Sequence, residues 1–257
     1  MTIYFDSAAR KLRDFPVSEA ERAARMQLAA CYRIFDQLGW TEMIFNHITL
    51  RVPGPERLFL INPFGLHYRE ITASSLVLID IEGNPVRESQ WPVNRAGFVI
   101  HSALHGHVEQ AHCVMHTHTT TGMAVASLKE GLSPTNFYAA QLHGQVAYHD
   151  FEGITVEEGE KERLVRSVGG KRAVILRNHG LLAWGSSVPE AFMMLWTLQR
   201  ACDVQIASAA AGALNTIRDE VFAQTVRESG PGEKRTCEDV FAAMVRRVET
   251  ADPSYRQ

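Results

Sequence analysis

Two histidines at the end of a short apolar segment constrain this chain more than any other feature. Cys113, Val114 and Met115 form the segment, and His116 and His118 follow it at positions i and i+2. Side chains two apart on a strand point to the same face, so two imidazoles come within reach of one ion. Such pairs also occur as solvated residues at strand ends, so a metal site needs a further ligand from elsewhere in the chain.

The segment 177–180, with the sequence Arg-Asn-His-Gly, supplies that candidate ligand. An apolar strand at residues 173–176 ends there, and Gly180 lets the backbone turn directly after His179. A lone histidine in this position is usually a plain loop residue. Joined to His116 and His118, however, His179 completes a three-imidazole site suited to Zn²⁺, Mn²⁺ or Fe²⁺.

Composition and charge narrow the class of protein. Hydrophobic residues make up 46 % and charged residues 21 % of the 257 residues, and the formal net charge is −3. This balance, without a Lys/Arg-rich block, argues against nucleic acid as the main partner. No apolar run approaches about 18 residues, so no membrane span is expected. The four cysteines lie far apart without a Cys-x-x-Cys pair, and we expect a reduced, cytoplasmic protein.

Hydrophobic periodicity predicts an α/β protein. Residues 1–17 lack a periodic pattern and are interpreted as an N-terminal arm, and residues 18–257 as a single domain with a helical C-terminal extension. Helices are predicted at residues 19–38, 98–108, 121–129, 156–168, 188–211 and 238–248. Strands are predicted at residues 47–52, 58–62, 76–81, 111–116, 145–151, 173–176 and 181–184. Because a regular βαβ rhythm is missing, we expect a three-layer α/β/α fold whose central sheet is mainly antiparallel and covered by helices.

The two histidine motifs together resemble those of the class II aldolase/adducin family. The similar residues are His-Thr-His at 116–118 before a Thr-rich turn and helix, Asn-His-Gly-Leu-Leu-Ala at 178–183, and the upstream helix at 98–104. The resemblance extends over about residues 20–215. It implies that His116, His118 and His179 hold one divalent ion per subunit, Zn²⁺ first, with Mn²⁺ and Fe²⁺ as alternatives. It also implies a small-molecule substrate and a homotetramer with its sites at subunit interfaces.

Further site residues are predicted around this centre. By the resemblance, Asn46 binds substrate and Tyr138 is a catalytic proton donor that reaches a neighbouring subunit's metal. His101 follows an apolar run on its helix and is a second catalytic candidate, either as a proton donor or behind the metal ligands. Arg95 suits a carboxylate and His143 lies near Tyr138, so both are predicted to bind substrate. A packed aromatic and a solvated loop arginine are the alternative interpretations of Tyr138 and Arg95.

The chain departs from the family's sugar-phosphate aldolases at three positions. Phe45 precedes Asn46 where those enzymes have a glycine, and Phe64 stands where a threonine would bind phosphate. Counting back from His101, the position of the family's acid/base glutamate falls on Gly97. These departures argue against a phosphorylated sugar as the substrate.

The predicted function is therefore a metal-dependent carbon–carbon lyase of the aldolase or decarboxylase type. Three neutral imidazoles leave the charge of the ion unneutralised, which favours a non-phosphorylated oxo- or hydroxy-acid and an enolate that the metal stabilises. Two alternatives stay open at this point. One is a non-heme iron oxidative decarboxylase, and the other is a non-catalytic, adducin-like scaffold.

Overall fold

A computed structural model describes residues 16–153, 158–229 and 232–257. Within these ranges the structure describes the backbone but not the side chains of Arg95, Ala96, Glu158 and Ser229. All but the last two residues of the predicted N-terminal arm, 1–17, also fall outside the described residues.

One sheet of seven strands forms the centre of the described chain. In chain order the strands are β1 Ile48–Arg51, β2 Phe59–Ile61, β3 Val77–Ile79, β4 Cys113–Thr117, β5 Val146–His149, β6 Ala173–Leu176 and β7 Gly180–Gly185. Their spatial order is β3-β2-β1-β4-β7-β6-β5. Only the pair β5 and β6 is parallel among these neighbours, which confirms the prediction of a mainly antiparallel sheet.

Helices cover both faces of this sheet. They are α1 Glu19–Leu38, α2 Arg95–His107, α3 Thr120–Ala126, α4 Phe137–Gln141, α5 Glu158–Val168, α6 Val188–Ala209, α7 Asp219–Ser229 and α8 Lys234–Ala251. One apolar layer joins α1, α6 and α8 to the sheet, and a second joins α2 and α5 to its opposite face. The predicted three-layer α/β/α arrangement is therefore confirmed. No helix within the described ranges is long and apolar enough to cross a membrane.

The first helix shows how local sequence sets the element boundaries. Ser18 caps α1, because its hydroxyl accepts a hydrogen bond from the backbone N–H of Glu21 at 3.1 Å. Gly39 ends the helix with a φ of 70°, a conformation that glycine adopts without strain. Both boundaries agree with the predicted helix at residues 19–38.

Two helices, α4 and α7, were not predicted. The helix α4 has only 5 residues, and it depends on the Asn136 side chain, which accepts from the N–H of Ala139 at 3.0 Å. The helix α7 is mostly polar, and Phe222 is its well-buried apolar residue. A helix this short or this polar gives a weak periodic signal, because few of its side chains reach the core.

The pairing of β4 with β7 brings the two histidine motifs together. These strands are antiparallel neighbours, and Thr117 of β4 lies opposite Leu181 of β7. The end of β4 therefore meets the start of β7. His118, just after β4, and His179, just before β7, lie at the same edge of the sheet.

Candidate metal centre

His116, His118 and His179 form a compact cluster at this edge. One ring nitrogen of each lies within 4.8 Å of the others, and the described residues contain no other group of three metal-ligating side chains placed to hold one ion. The ring centroids are 4.6 Å apart for His116 and His118, 4.8 Å for His116 and His179, and 4.9 Å for His118 and His179. The structure thus brings together all three predicted metal ligands.

A tight turn delivers His179 to the cluster. Asn178 has a φ of 56°, in the left-handed region that asparagine tolerates better than most residues. Gly180 follows and packs on the opposing strand. A Cβ atom at position 180 would lie 3.1 Å from Cδ2 of His118 and 3.2 Å from Cε1 of His116. The glycine therefore lets His179 approach the other two imidazoles.

Hydrogen bonding fixes the tautomer of His116. Its Nδ1 lies 2.8 Å from the carbonyl oxygen of Leu181, which can only accept, so Nδ1 carries the proton and Nε2 is bare. That Nε2 lies 2.7 Å from Nε2 of His118. Two lone pairs at this separation repel each other unless a proton or a cation lies between them. The bare Nε2 of His116 can therefore accept a hydrogen bond from Nε2–H of His118 or, where that nitrogen is also bare, share a metal ion with it.

Burial keeps the three imidazoles in the form that binds metals. It lowers the pKa of His179 to about 4, and the neighbouring His118 acts in the same direction. Burial and the other two histidines hold the pKa of His116 well below its usual value. Burial also lowers the pKa of His118, although the Glu42 carboxylate opposes this shift. Neutral imidazoles with free ring nitrogens are a donor set that fits a divalent transition metal such as zinc.

His47 lies beside the cluster, and Asn46 precedes it in the chain. Asn46 is 1 % exposed, and neither its Oδ1 nor its Nδ2 has a hydrogen-bond partner among the described residues. Buried amides are almost always paired, so this side chain is available to a ligand. The ring of His47 lies 6.0 Å from that of His116. Sequence reasoning selected Asn46 but missed His47, although the two are adjacent in the chain.

His101 lies farther from the cluster than His47. Its ring is fully buried, 4.1 Å from the ring of His47, and its Nδ1 contacts the Thr49 hydroxyl at 2.7 Å. Thr49 also contacts Nε2 of His105 at 2.7 Å. The predicted catalytic histidine thus lies behind His47, within a buried polar network.

At position 97, the resemblance places an acid/base glutamate, but this chain has a glycine. A neighbouring ring occupies the space that a longer side chain would need. A Cβ atom there would lie 2.6 Å from Cε1 of His47. The imidazole of His47 fills that volume. Phe45 and Phe64, the other two departures, form an aromatic pair with ring centroids 6.3 Å apart. An apolar contact therefore replaces the hydroxyl expected of a phosphate-binding turn.

Three predicted site residues remain. Tyr138 and His143 lie away from the cluster, and the side chain of Arg95 is not described by the structure. Tyr138 packs against Trp196 with ring centroids 5.5 Å apart. His143 is exposed and stacks on Phe222 at 4.8 Å. Neither makes a ring contact with the three clustered histidines within the described part of this chain. Arg95 is the first residue of α2, and its side chain lies outside the described residues.

Comparisons with known proteins agree with this geometry. A crystal structure of an aldolase II superfamily protein from Pseudomonas syringae is 43 % identical, with a TM-score of 0.89 over 94 % of this chain and 98 % of that chain. L-fuculose 1-phosphate aldolase from Glaciozyma antarctica is 32 % identical, with a TM-score of 0.83 over 96 % of this chain and 97 % of that chain. Alpha-adducin of Rattus norvegicus is 46 % identical over 191 residues, which are 73 % of this chain but 26 % of the adducin.

The family assignment rests on the whole central domain. Residues 26–206 match the family described as Class II Aldolase and Adducin N-terminal domain. This match spans both histidine motifs, all seven strands and the buried helix α6 except for its last three residues. The protein belongs to the class II aldolase and adducin N-terminal domain family, as its histidine motifs predicted.

Proposed function

We propose that this protein is a metal-dependent carbon–carbon lyase, of the aldolase or decarboxylase type, acting on a non-phosphorylated oxo- or hydroxy-acid. The observation that carries the proposal is the cluster of His116, His118 and His179 within 4.8 Å. No carboxylate joins this cluster among the described residues. An ion held by three neutral ligands keeps its full positive charge, which favours an anionic substrate.

The proposed cofactor is one divalent ion per subunit, with Zn²⁺ first and Mn²⁺ or Fe²⁺ as alternatives. Bound there, it would supply a Lewis acid for the negative charge that develops on a substrate oxygen as a carbon–carbon bond breaks. The surrounding side chains would bind and orient the acid. The unpaired amide of Asn46 supports its proposed role in substrate binding.

The preference for a non-phosphorylated substrate rests on the departures from the sugar-phosphate aldolases. Phe45 and Phe64 form an apolar pair where the resemblance predicts a phosphate-binding hydroxyl. Gly97 has no side chain to act as an acid or base, and His47 fills the adjacent volume. A relative named L-fuculose 1-phosphate aldolase therefore shares the fold without fixing the substrate of this chain.

We further propose a homotetramer with its sites at subunit interfaces. Tyr138 packs on Trp196 of α6, and the guanidinium of Arg200 lies 5.7 Å from its ring. Neither contact lies at the three histidines of the same chain, and the proposed role of Tyr138 at a neighbouring subunit's site rests on the family resemblance. His143 and Arg95 stay candidates for substrate binding. Light scattering should give a mass of about four chains, and a monomeric mass would contradict this part of the proposal.

Elemental analysis of the purified protein tests the central proposal. We expect about one divalent ion per chain in the wild type and at least a tenfold loss in His116→Ala and His179→Ala. His107→Ala is the matched control, because His107 is an exposed histidine at the end of α2.

The identity of the ion separates the candidate functions. Zinc or manganese, together with cleavage of at least one acid from a panel of 2-oxo and 2-hydroxy acids, supports the lyase. Iron with oxygen uptake would favour oxidative decarboxylation. Wild-type protein that takes up no metal would favour a scaffold, an alternative supported by the 46 % identity with alpha-adducin.

A further inference from the structure

His179 is held in place differently from His116. The ring of His116 is oriented by its hydrogen bond to the carbonyl oxygen of Leu181 at 2.8 Å. Within the described residues, the contacts of the His179 ring are with other rings, namely those of His116, His118 and Phe151. Histidines that bind metals usually donate their second N–H to a protein group, which fixes the ring. Without such a bond from the described chain, the position of His179 depends on the backbone of its turn.

Two residues of the turn before β7 dock it onto α3. The backbone N–H of Asn178 donates to the carbonyl oxygen of Ala126 at 3.0 Å. Nη1 of Arg177 donates to the carbonyl oxygens of Leu128 and Lys129 at 3.3 Å and 3.2 Å. Because this donor is a charged guanidinium, its hydrogen bonds are stronger than those between neutral groups. The turn is thus bound to the C-terminal end of α3 and to the residues that follow it.

Tyr148 holds the same guanidinium from its other side. Cζ of Arg177 lies 4.7 Å from the centre of the Tyr148 ring, and the Tyr148 hydroxyl accepts from the N–H of Leu132 at 3.0 Å. A Cβ atom at Gly131 would lie 2.5 Å from Cε1 of Tyr148, so the ring packs directly on this backbone. The Asp150 carboxylate lies 3.5 Å from Nε of Arg177 but is 89 % exposed, so this pair contributes little. The ring and the two carbonyl groups therefore fix the guanidinium.

The helix α3 completes a connection between two of the metal-ligand candidates. It begins at Thr120, two residues after His118, and it ends at Ala126, which accepts from Asn178. One short helix therefore joins the segment that carries His118 to the turn that carries His179. The pairing of β4 with β7 joins the same two segments through the sheet. Together these connections define the separation of the two histidines without any ion.

We propose that Arg177 is a positioning residue of the metal centre. Its guanidinium fixes the turn to the segment after α3, and it thereby holds His179 at ligating distance from His116 and His118 before an ion binds. The inference rests on the proposed function, because it assigns these histidines to an ion.

The charge and the position of Arg177 have opposite effects on metal affinity. A guanidinium two residues from a ligand repels a divalent cation, whereas a preformed ligand set favours its binding. The side chain of Arg177 is 29 % exposed, and solvent and salt screen its charge. Removal of the guanidinium should therefore weaken metal binding, and the sign of the change separates the two effects.

Hydrogen exchange of the Asn178 amide in EDTA tests the docking without any metal. Arg177→Met removes the donors but keeps much of the side-chain volume, and exchange should become about tenfold faster. Arg172→Met is the matched control, because Arg172 precedes β6 as Arg177 follows it. Arg172 likewise lies over an aromatic ring, that of Trp184 at 5.9 Å, and pairs with the Glu190 carboxylate at 2.9 Å. Unchanged exchange of Asn178 in Arg177→Met would overturn the proposal.

Zinc affinity is then measured by competition with a chelator. Arg177→Met should bind zinc about tenfold more weakly than the wild type, and Arg172→Met should stay within about twofold. Arg177→Lys should recover most of the affinity, because its ammonium group can donate to the same two carbonyl oxygens. Equal or tighter zinc binding by Arg177→Met would show that this side chain does not position His179.

The absorption spectrum of bound Co²⁺ separates positioning from general stability. This spectrum reports the number and arrangement of the ligands around the ion. We expect Arg177→Met to shift it towards the spectrum of His179→Ala, whereas Arg172→Met should keep the wild-type spectrum even where it lowers stability. A wild-type spectrum in Arg177→Met, together with weakened affinity, would assign the loss to general destabilisation and overturn the role of Arg177.

These outcomes are separable from failure of the proposed function. A wild-type protein that takes up neither zinc nor cobalt contradicts the metal-dependent lyase, whatever the exchange rate of Asn178. A zinc-loaded wild type whose Arg177→Met variant binds zinc equally well leaves the lyase standing and refutes the inference. If Arg177→Met folds poorly, Tyr148→Leu carries the same tests, because it removes the ring behind the guanidinium. It should weaken zinc binding in the same direction, and unchanged affinity there would contradict the proposal.

Discussion

Gly180 packs so closely on Thr117 that a Cβ atom at position 180 would lie 2.4 Å from the carbonyl oxygen of Thr117. This contact joins the start of β7 to the end of β4. His179 and His118 flank it on the two strands. The spacing of the metal cluster thus depends on a backbone approach that only glycine permits.

Gly180→Ala should therefore damage both stability and metal binding. The neighbouring atom is backbone and cannot rotate away, so the strands must separate. We expect a loss of about 1–3 kcal/mol in the free energy of unfolding, measured with urea, and reduced zinc content. Gly106→Ala is the control, because a Cβ atom there meets nothing within 4 Å and replaces a helical glycine. Unchanged zinc affinity in Gly180→Ala would contradict this role.

Much of the fold was predictable because its signals are local. The Ser18 cap and Gly39 marked both ends of α1, and short apolar runs marked most strands of the sheet. The three metal-ligand candidates were found because each follows or precedes an apolar strand. They were combined into one candidate site because His179, at a strand end before a glycine, could complete the His-x-His pair, and the family resemblance implied the same three ligands. The antiparallel contact of β4 with β7 supplies the physical reason.

The contribution of His47 could not be read from the sequence. Its neighbours Gly97 and His101 are about fifty residues away in the chain, and no local pattern marks the contact. His101 was predicted because it follows an apolar run on its helix. Only the tertiary structure shows that Thr49 binds His101 from behind and that His47 lies between it and the cluster.

Acid should destabilise the metal-free protein in a defined pH window. Burial lowers the pKa of His47 to about 4 and that of His105 to about 3. The unfolded chain takes up these protons near pH 6.5, so the stabilisation is present above that pH and is lost as the pH falls towards the folded values. The free energy of unfolding should fall by about 1.4 kcal/mol per pH unit for each such histidine.

Urea unfolding in EDTA between pH 7 and pH 5 measures this slope. His47→Leu removes one of the groups and should reduce the total fall in the free energy of unfolding between pH 7 and pH 5 by about 2 kcal/mol. A slope that is the same in the wild type and in His47→Leu would show that His47 is not buried in its neutral form.

A buried ion pair fixes the start of α1 to the rest of the domain. Glu21 accepts from Nε of Arg25 at 2.8 Å and from Nη1 and Nη2 of Arg87 at 2.6 Å and 2.8 Å. Burial raises the pKa of Glu21, but hydrogen bonds from the two arginines outweigh it, and the net pKa is lowered. The carboxylate is thus charged, and its removal takes the opposite charge away from two partly buried guanidinium groups.

Glu21→Gln should lower the free energy of unfolding by about 3–5 kcal/mol at pH 7, measured by urea unfolding. Glu162→Gln is the control, because the pair of Glu162 with Arg166 is exposed, and a change of about 0.5 kcal/mol is expected there. Equal effects of the two substitutions would show that the Glu21 pair contributes no more than a surface pair.

The segment after His118 is held by one glutamine of α6. Gln199 accepts from the Thr119 hydroxyl at 2.5 Å, and its amide donates to Thr121 at 2.8 Å and to Asp203 at 2.7 Å. Because Thr119 adjoins His118, loss of these bonds frees the backbone that carries a metal ligand. Gln199→Leu should therefore weaken zinc binding about tenfold, measured by competition with a chelator.

Gln205 provides a matched control on the same helix. It is also buried, but it binds the backbone of Ser133 at 2.7 Å and of Gly131 at 3.0 Å, farther along the connection to Tyr138. Gln205→Leu should cost comparable stability, because it likewise removes hydrogen bonds made by a buried glutamine of α6, yet it should keep zinc affinity within about twofold of the wild type. A similar loss of zinc affinity in both variants would mean that general destabilisation, rather than the position of His118, controls metal binding.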